Sequence, residues 1–230
     1  MKYINDYYGL HLIQKGVCYR MYSKLLKRLI DVILSAMALI FFSIPMIIIA
    51  LIIKIDSPGP VFFQQKRVGI HKSHFNILKF RSMRTDTPHD APTHQLQGAT
   101  SYITKVGAFL RKTSLDELPQ LINILLGEMS IIGPRPALWN QYDLIEERDK
   151  YGANDVKPGL TGWAQINGRD ELEIPVKAKL DGEYVEKLSF GFDCKCFFGT
   201  ITSVLKSDGV VEGGTGEINK ANEDKKEELV

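Results

Sequence analysis

Hydrophobic positions crowd into one place. Residues 29–53, LIDVILSAMALIFFSIPMIIIALII, are apolar throughout but for two serines, a proline and a single charge, Asp31 near one end. At 1.5 Å per residue, these 25 residues reach about 37 Å, more than the roughly 30 Å hydrocarbon core of a bilayer. The run is too long and too internal for a secretory signal, and no small-residue cleavage site follows it. It reads as a membrane segment. Pro45 interrupts it, because proline removes a helix hydrogen bond and clashes with the preceding turn. A break there leaves arms of about 15 and 8 residues, each too short to cross. Lys24, Lys27 and Arg28 precede the run, and Lys54, Lys66 and Arg67 follow it. Cytoplasmic flanks collect such residues, so a re-entrant helix that enters one leaflet and returns is expected over a straight span. Ser43 is expected to satisfy a backbone group freed at the break.

The pattern then changes period. Residues 61–69 (VFFQQKRVG) and 74–83 (HFNILKFRSM) predict two short strands with a turn at IHKS. Their cations Lys66, Arg67, Lys79 and Arg81 are expected near lipid headgroups, with Phe62, Phe63, Phe75 and Phe80 as interfacial anchors. Leu118, Leu121, Ile122 and Leu125 recur at helical spacing and predict one apolar stripe, stopped by Gly127. Further helices are expected over 137–152, 176–187 and 192–205, with a disordered tail from Glu212.

Composition alters this picture in one respect. The 230 residues carry a net charge of only +2, but residues 1–84 hold 13 Lys/Arg against 3 Asp/Glu. A basic first third can serve nucleic acid or an anionic membrane surface. The apolar run within it selects the membrane, and no nucleic-acid partner is expected. Cys18, Cys194 and Cys196 are too few for a disulfide framework and read as reduced thiols. His89 and His94 fall in a polar stretch read as a solvated loop rather than a metal site.

The candidate chemistry lies in TSLDELPQLINILLGEMSIIGPRP, residues 113–136. Ser114 and Glu117 have capping-box spacing, and Asp116 suits a helix N-terminus, so a purely structural reading stands. The same place suits phosphate chemistry. An aspartate can attack phosphorus and divide one displacement into two, provided cations offset its charge. Arg135, between Pro134 and Pro136, is a guanidinium on a stiff loop suited to phosphate; an ordinary proline-rich connection fits equally. Arg111 is a second candidate cation. The segment KPGLTGWAQINGR, residues 157–169, lacks dinucleotide or Walker spacing and is equally well read as turn glycines around a core tryptophan.

Taken together, KRLIDV, the apolar run, SPGPVFFQQKRVG, FNILKFRSM, RKTSLDELPQLINILLGEMSIIGPRP and VKPGLTGWAQINGR resemble the bacterial sugar transferase family. These are small monotopic polyprenyl-phosphate phosphoglycosyl transferases of the undecaprenyl-phosphate sugar phosphotransferase type. The resemblance covers residues 24–207. It implies transfer of a sugar-1-phosphate from a UDP-sugar to undecaprenyl phosphate, with Mg2+ and release of UMP, at the cytoplasmic face of the bacterial inner membrane. Such a step starts a capsule, O-antigen, exopolysaccharide or glycoprotein glycan. It implies that Asp116 is phosphoglycosylated and that Glu117 helps hold the metal with it. Arg111 and Arg135 would then hold phosphates, Lys79 would lie near the site, and Arg169 would contact the donor. Two positions depart from the family pattern: Glu128 replaces a frequent Asp, and Ile44 separates Ser43 from Pro45.

The expected fold is α+β, mainly helical, with a re-entrant membrane helix before a small cytoplasmic catalytic domain containing a short β-hairpin. Its expected divisions are an extension (1–23), the membrane helix (24–55), the catalytic domain (56–207) and a tail (208–230). Two rival functions are a membrane-bound aspartyl-phosphate phosphohydrolase and an inactive lipid-anchored scaffold. The donor sugar, the pathway and any homo-oligomer are left open by the sequence.

Overall fold

A computed structural model describes residues 22–87, 99–168 and 172–206. Most of the extension, the whole tail, Cys18, His89, His94 and Arg169 lie outside the described residues. The apolar run forms two helices, α1 (Lys27–Phe41) and α2 (Ser43–Asp56), bent by 61°. Among the described residues, no single helix is long and apolar enough to cross a membrane. Arms of 15 and 14 residues span about 22 and 21 Å, so the second arm is longer than expected. Half of the added length comes from the break sitting at Phe42, three residues before Pro45, and half from the helix continuing past the apolar run to Asp56. A proline ring collides with the carbonyl one turn earlier, which places the kink N-terminal to the proline. Ser43 Oγ donates to the Ile40 carbonyl at 2.7 Å, as expected of a side chain beside a break.

Strands β1 (Phe62–Val68) and β2 (His74–Phe80) pair antiparallel, with Phe62 opposite Phe80 and Val68 opposite His74. The hairpin cations, expected near headgroups, are not left free but take partners within the protein. Arg81 is buried and donates to the carbonyls of Ser57 and Pro58, closing the end of α2. Arg67 donates to the Pro136 carbonyl, Lys66 lies 5.3 Å from the Trp139 ring centre, and Lys79 bonds Glu117. Nor are all four phenylalanines interfacial: Phe75 and Phe80 are core residues. Unpaired carbonyls and a nearby carboxylate offer these cations closer partners than headgroups do. The flank cations behave alike, since Lys27 pairs with Asp193 and Arg28 donates to the Ile124 and Leu125 carbonyls.

After the hairpin come α3 (Lys105–Lys112), a 3-10 turn (Leu115–Glu117) and α4 (Gln120–Leu126). The buried face of α4 is Gln120, Leu121, Asn123 and Ile124, while Leu125 is exposed. The expected stripe is therefore rotated, because the helix begins after Pro119 and Asn123 turns inward to β2. Its Oδ1 accepts from Leu78 N–H and its Nδ2 donates to the Asn76 carbonyl. A short parallel pair not foreseen in the sequence follows, β3 (Ser130–Ile132) with β4 (Gly159–Thr161).

Between those strands, α5 (Tyr142–Asp149) is shorter than the expected 137–152. Ala137 and Leu138 instead lie along β1, with Val68 N–H bonded to the Ala137 carbonyl, because the prolines just before hold the chain extended. Helices α6 (Ile174–Lys187) and α7 (Phe190–Lys206) complete the order and match their expected places. Cys194 and Cys196 on α7 are free thiols, and Cys196 is buried. The core is distributed around the hairpin: Ile77 packs with Leu121, Ile124 and Met129, and Phe80 with Ile49, Ile53 and Leu110.

Candidate active site

Asp116 and Glu117 sit on the 3-10 turn between α3 and α4. Ser114, just before it, has a left-handed backbone (φ 56°) and makes no side-chain cap, so the capping box is not formed. Glu117 turns instead to two cations. Lys79 Nζ on β2 lies 2.7 Å from its Oε1, and Arg135 Nη2 from the loop after β3 lies 2.5 Å from the same oxygen. All three side chains are mostly buried. Asp116 is 8% exposed, and no hydrogen bond among the described residues ends on its carboxylate.

The neighbouring acids are thus held oppositely. Burial lifts Glu117, but the charges of Arg135 and Lys79, with their hydrogen bonds, outweigh it and keep that carboxyl well below the usual range. Burial raises Asp116, against the pull of Lys79, Arg111 and Arg135 and with the push of Glu117, and its carboxyl ends above the ordinary aspartate range. Arg111, in the last turn of α3, is half-buried within reach of this field. Three cations surround two carboxylates, which leaves the cluster inviting to phosphate. The structure therefore brings Asp116, Glu117, Lys79, Arg111 and Arg135 together. It leaves Ser43 and Pro45 at the bend, as part of the apolar segment.

The Arg135 loop is seated on glycines. A Cβ at Gly159 would fall 2.1 Å from Gly133 N, and one at Gly162 2.1 Å from the Gly133 carbonyl oxygen. The glycines of residues 157–169 thus serve close backbone approach as well as turns. Trp163 is half-buried against Phe192, with Lys195 Nζ 4.8 Å from its ring centre.

A divalent cation can be tested against this donor set. Among the described residues no group of three or more His, Cys, Asp or Glu gathers to hold one. Mg2+ commonly takes one or two carboxylates and completes its shell with water and substrate phosphates. Asp116 fits, with oxygens that no donor among the described residues occupies. Glu117 fits through Oε2, whose bond from Arg135 is long at 3.4 Å.

The chain is similar to the UDP-glucose:undecaprenyl-phosphate glucose-1-phosphate transferase of Escherichia coli (strain K12). Identity is 44% over 187 residues, 78% of this chain and 40% of that protein. It is also similar to the uncharacterized sugar transferase EpsL of Bacillus subtilis (strain 168), 39% identical over 186 residues, 81% of this chain and 90% of that one. The exopolysaccharide production protein PSS of Rhizobium leguminosarum bv. phaseoli is 40% identical over 192 residues, 78% of this chain and 95% of that one. The chain thus spans less than half the length of the first relative and most of the other two. Residues 22–207 match the family described as bacterial sugar transferase, and the chain belongs to that family.

Proposed function

We propose that this protein transfers a sugar-1-phosphate from a UDP-sugar to undecaprenyl phosphate in two displacements through Asp116. One observation carries the reading: Asp116 is buried, with no hydrogen-bond partner among the described residues, beside a Glu117 already held by Lys79 and Arg135. An acid with raised pKa has more basic, more nucleophilic oxygens once ionised. In the first displacement, an Asp116 oxygen attacks the sugar-bearing phosphorus, the bond to the bridging oxygen breaks, and UMP leaves with that electron pair. An aspartyl phosphosugar remains. In the second, an oxygen of the lipid phosphate attacks the same phosphorus and the carboxylate is regenerated, giving undecaprenyl-diphospho-sugar. Arg111 and Arg135 hold phosphate oxygens, Lys79 keeps Glu117 in place, and Arg169 contacts the donor. Mg2+ held by Asp116 and Glu117 supplies neutralisation of phosphate charge.

A large exposed apolar surface on a folded chain marks a membrane or protein contact. Met37, Ile40, Phe41, Ile44, Ile47 and Ile55 are all more than half exposed. With the 61° bend, this supports a re-entrant segment that keeps the site at the cytoplasmic face of the inner membrane. The names of several relatives make UDP-glucose the first donor to assay.

The test is UMP release from UDP-glucose and a panel of UDP-sugars, with undecaprenyl phosphate in nanodiscs. Asp116→Asn is expected to lose turnover by at least about a thousandfold. Donor alone should leave a sugar phosphate on Asp116, seen by intact mass and peptide mapping. Full turnover by Asp116→Asn removes the nucleophile. Release of free sugar phosphate without lipid acceptor would make the protein a phosphohydrolase instead.

A further inference from the structure

Arg135 stands between two prolines, so the peptide nitrogens on either side of it carry no hydrogen to donate. The loop is held through its carbonyls instead. Gly159 N–H donates to the Pro134 carbonyl at 2.9 Å, Arg67 Nη1 to Pro136 at 3.1 Å, and Val68 N–H to Ala137 at 3.0 Å. The carbonyl of Arg135 itself accepts from Arg148 Nη2 on α5, at 2.9 Å.

That donor is unusual in its surroundings. Arg148 is 3% exposed and Asp181, on α6, is 1% exposed. Arg148 Nε and Nη2 approach Asp181 Oδ2 at 2.8 and 2.6 Å. Burying an ion pair gives little net stability, because desolvation offsets the attraction, and an apolar pair of similar volume often does as well. A guanidinium clamped by a carboxylate nevertheless has one property an apolar pair lacks: its remaining N–H is aimed. Here it is aimed at the peptide whose side chain grips Glu117.

We propose that Arg148, oriented by Asp181, is a positioning residue for Arg135 and through it for Glu117. The inference deepens the transferase reading and rests on it for its kinetic test. Lysine cannot reproduce the planar fork that reaches two partners at once. Arg148→Lys should therefore lower kcat/KM for UMP release about tenfold. The discriminating measurement repeats the substitution in an Arg135→Ala background. A positioning role predicts less than about a twofold further loss there, because its target is gone. A repeated tenfold loss would overturn the proposal, since a merely structural role adds independently.

A second readout does not require turnover. Hydrogen–deuterium exchange in the full chain should quicken over residues 133–138 in Arg148→Lys and stay unchanged over residues 62–80. Unaltered exchange over 133–138 also overturns it. If Arg148→Lys unfolds, with protection lost throughout, Arg148→Met combined with Asp181→Leu refills the buried volume and is read in the same two ways. Absence of UMP release from the unmodified protein would count against the transferase reading, and the exchange result would still decide the positioning.

Discussion

The first arm of the bent pair sinks polar groups into the protein. Asp31 and Ser35 are its buried side chains, and Asp31 Oδ1 accepts the Ile131 N–H at 3.0 Å. Lys27 pairs with Asp193 at 2.5 Å, and Arg28 closes the end of α4. The second arm buries only Ile49 and Ile53, against Phe80 and Leu110, and has its end closed by Arg81 reaching out from β2. Directional bonds fix rotation and depth, whereas apolar packing is tolerant of both. The arms are therefore pinned where they meet the site: α1 through α4 and β3, α2 through the strand that carries Lys79. The bend at Phe42 lies midway along the chain between Ser35 and Ile49, flanked by the exposed apolar side chains of Ile40, Phe41 and Ile44.

This contrast can be broken at several points. Ile53→Ala should cost most, about 4 kcal/mol, by opening a cavity beneath Phe80 and Leu110. Thermal unfolding in detergent measures it, and a loss below about 1 kcal/mol would show that packing does not anchor α2. Pro45→Ala comes next. It restores a donor to the Phe41 carbonyl and removes the ring, favouring a straight helix by about 3 kcal/mol. Spin labels at positions 34 and 51 should then move apart; an unchanged distance would mean that the anchors, not the proline, set the bend. Asp31→Ala should cost about 2 kcal/mol by leaving the part-buried Ile131 N–H without its acceptor. Asp31→Asn, which keeps an oxygen there, should recover most of that loss in the same melt. Lys54→Ala removes only an exposed bond to the Gly59 carbonyl and should change stability by less than about 0.5 kcal/mol.

Much of this arrangement is legible in the residues. The apolar run, its break, the hairpin, and a site built on Asp116, Glu117 and Arg135 follow from period, turn chemistry and charge. Lys79 comes from family likeness, since nothing in FNILKFRSM says that its lysine faces a carboxylate thirty-eight positions away. What stays hidden is instructive. The pairing of β3 with β4 is only three residues long, so it leaves no alternation to detect. Nothing local in the sequence marks the partners of Arg28, Arg81 and Arg148, because each donates to backbone carbonyls distant in sequence. Ser114 and Glu117 have the spacing of a local cap, but two cations from other elements outbid it for the glutamate. Local patterns report local partners, and the site draws its partners from afar.

Asn123 has one further consequence. A two-stranded ribbon normally leaves an open border where another chain can add by main-chain bonding, a route to polymeric growth. Here one amide stands in for the missing neighbour, taking the Leu78 hydrogen and supplying one to Asn76. On the opposite border, Ala137 and Leu138 run beside β1. The ribbon is blocked on both sides at these positions, which protects it from templating copies of itself.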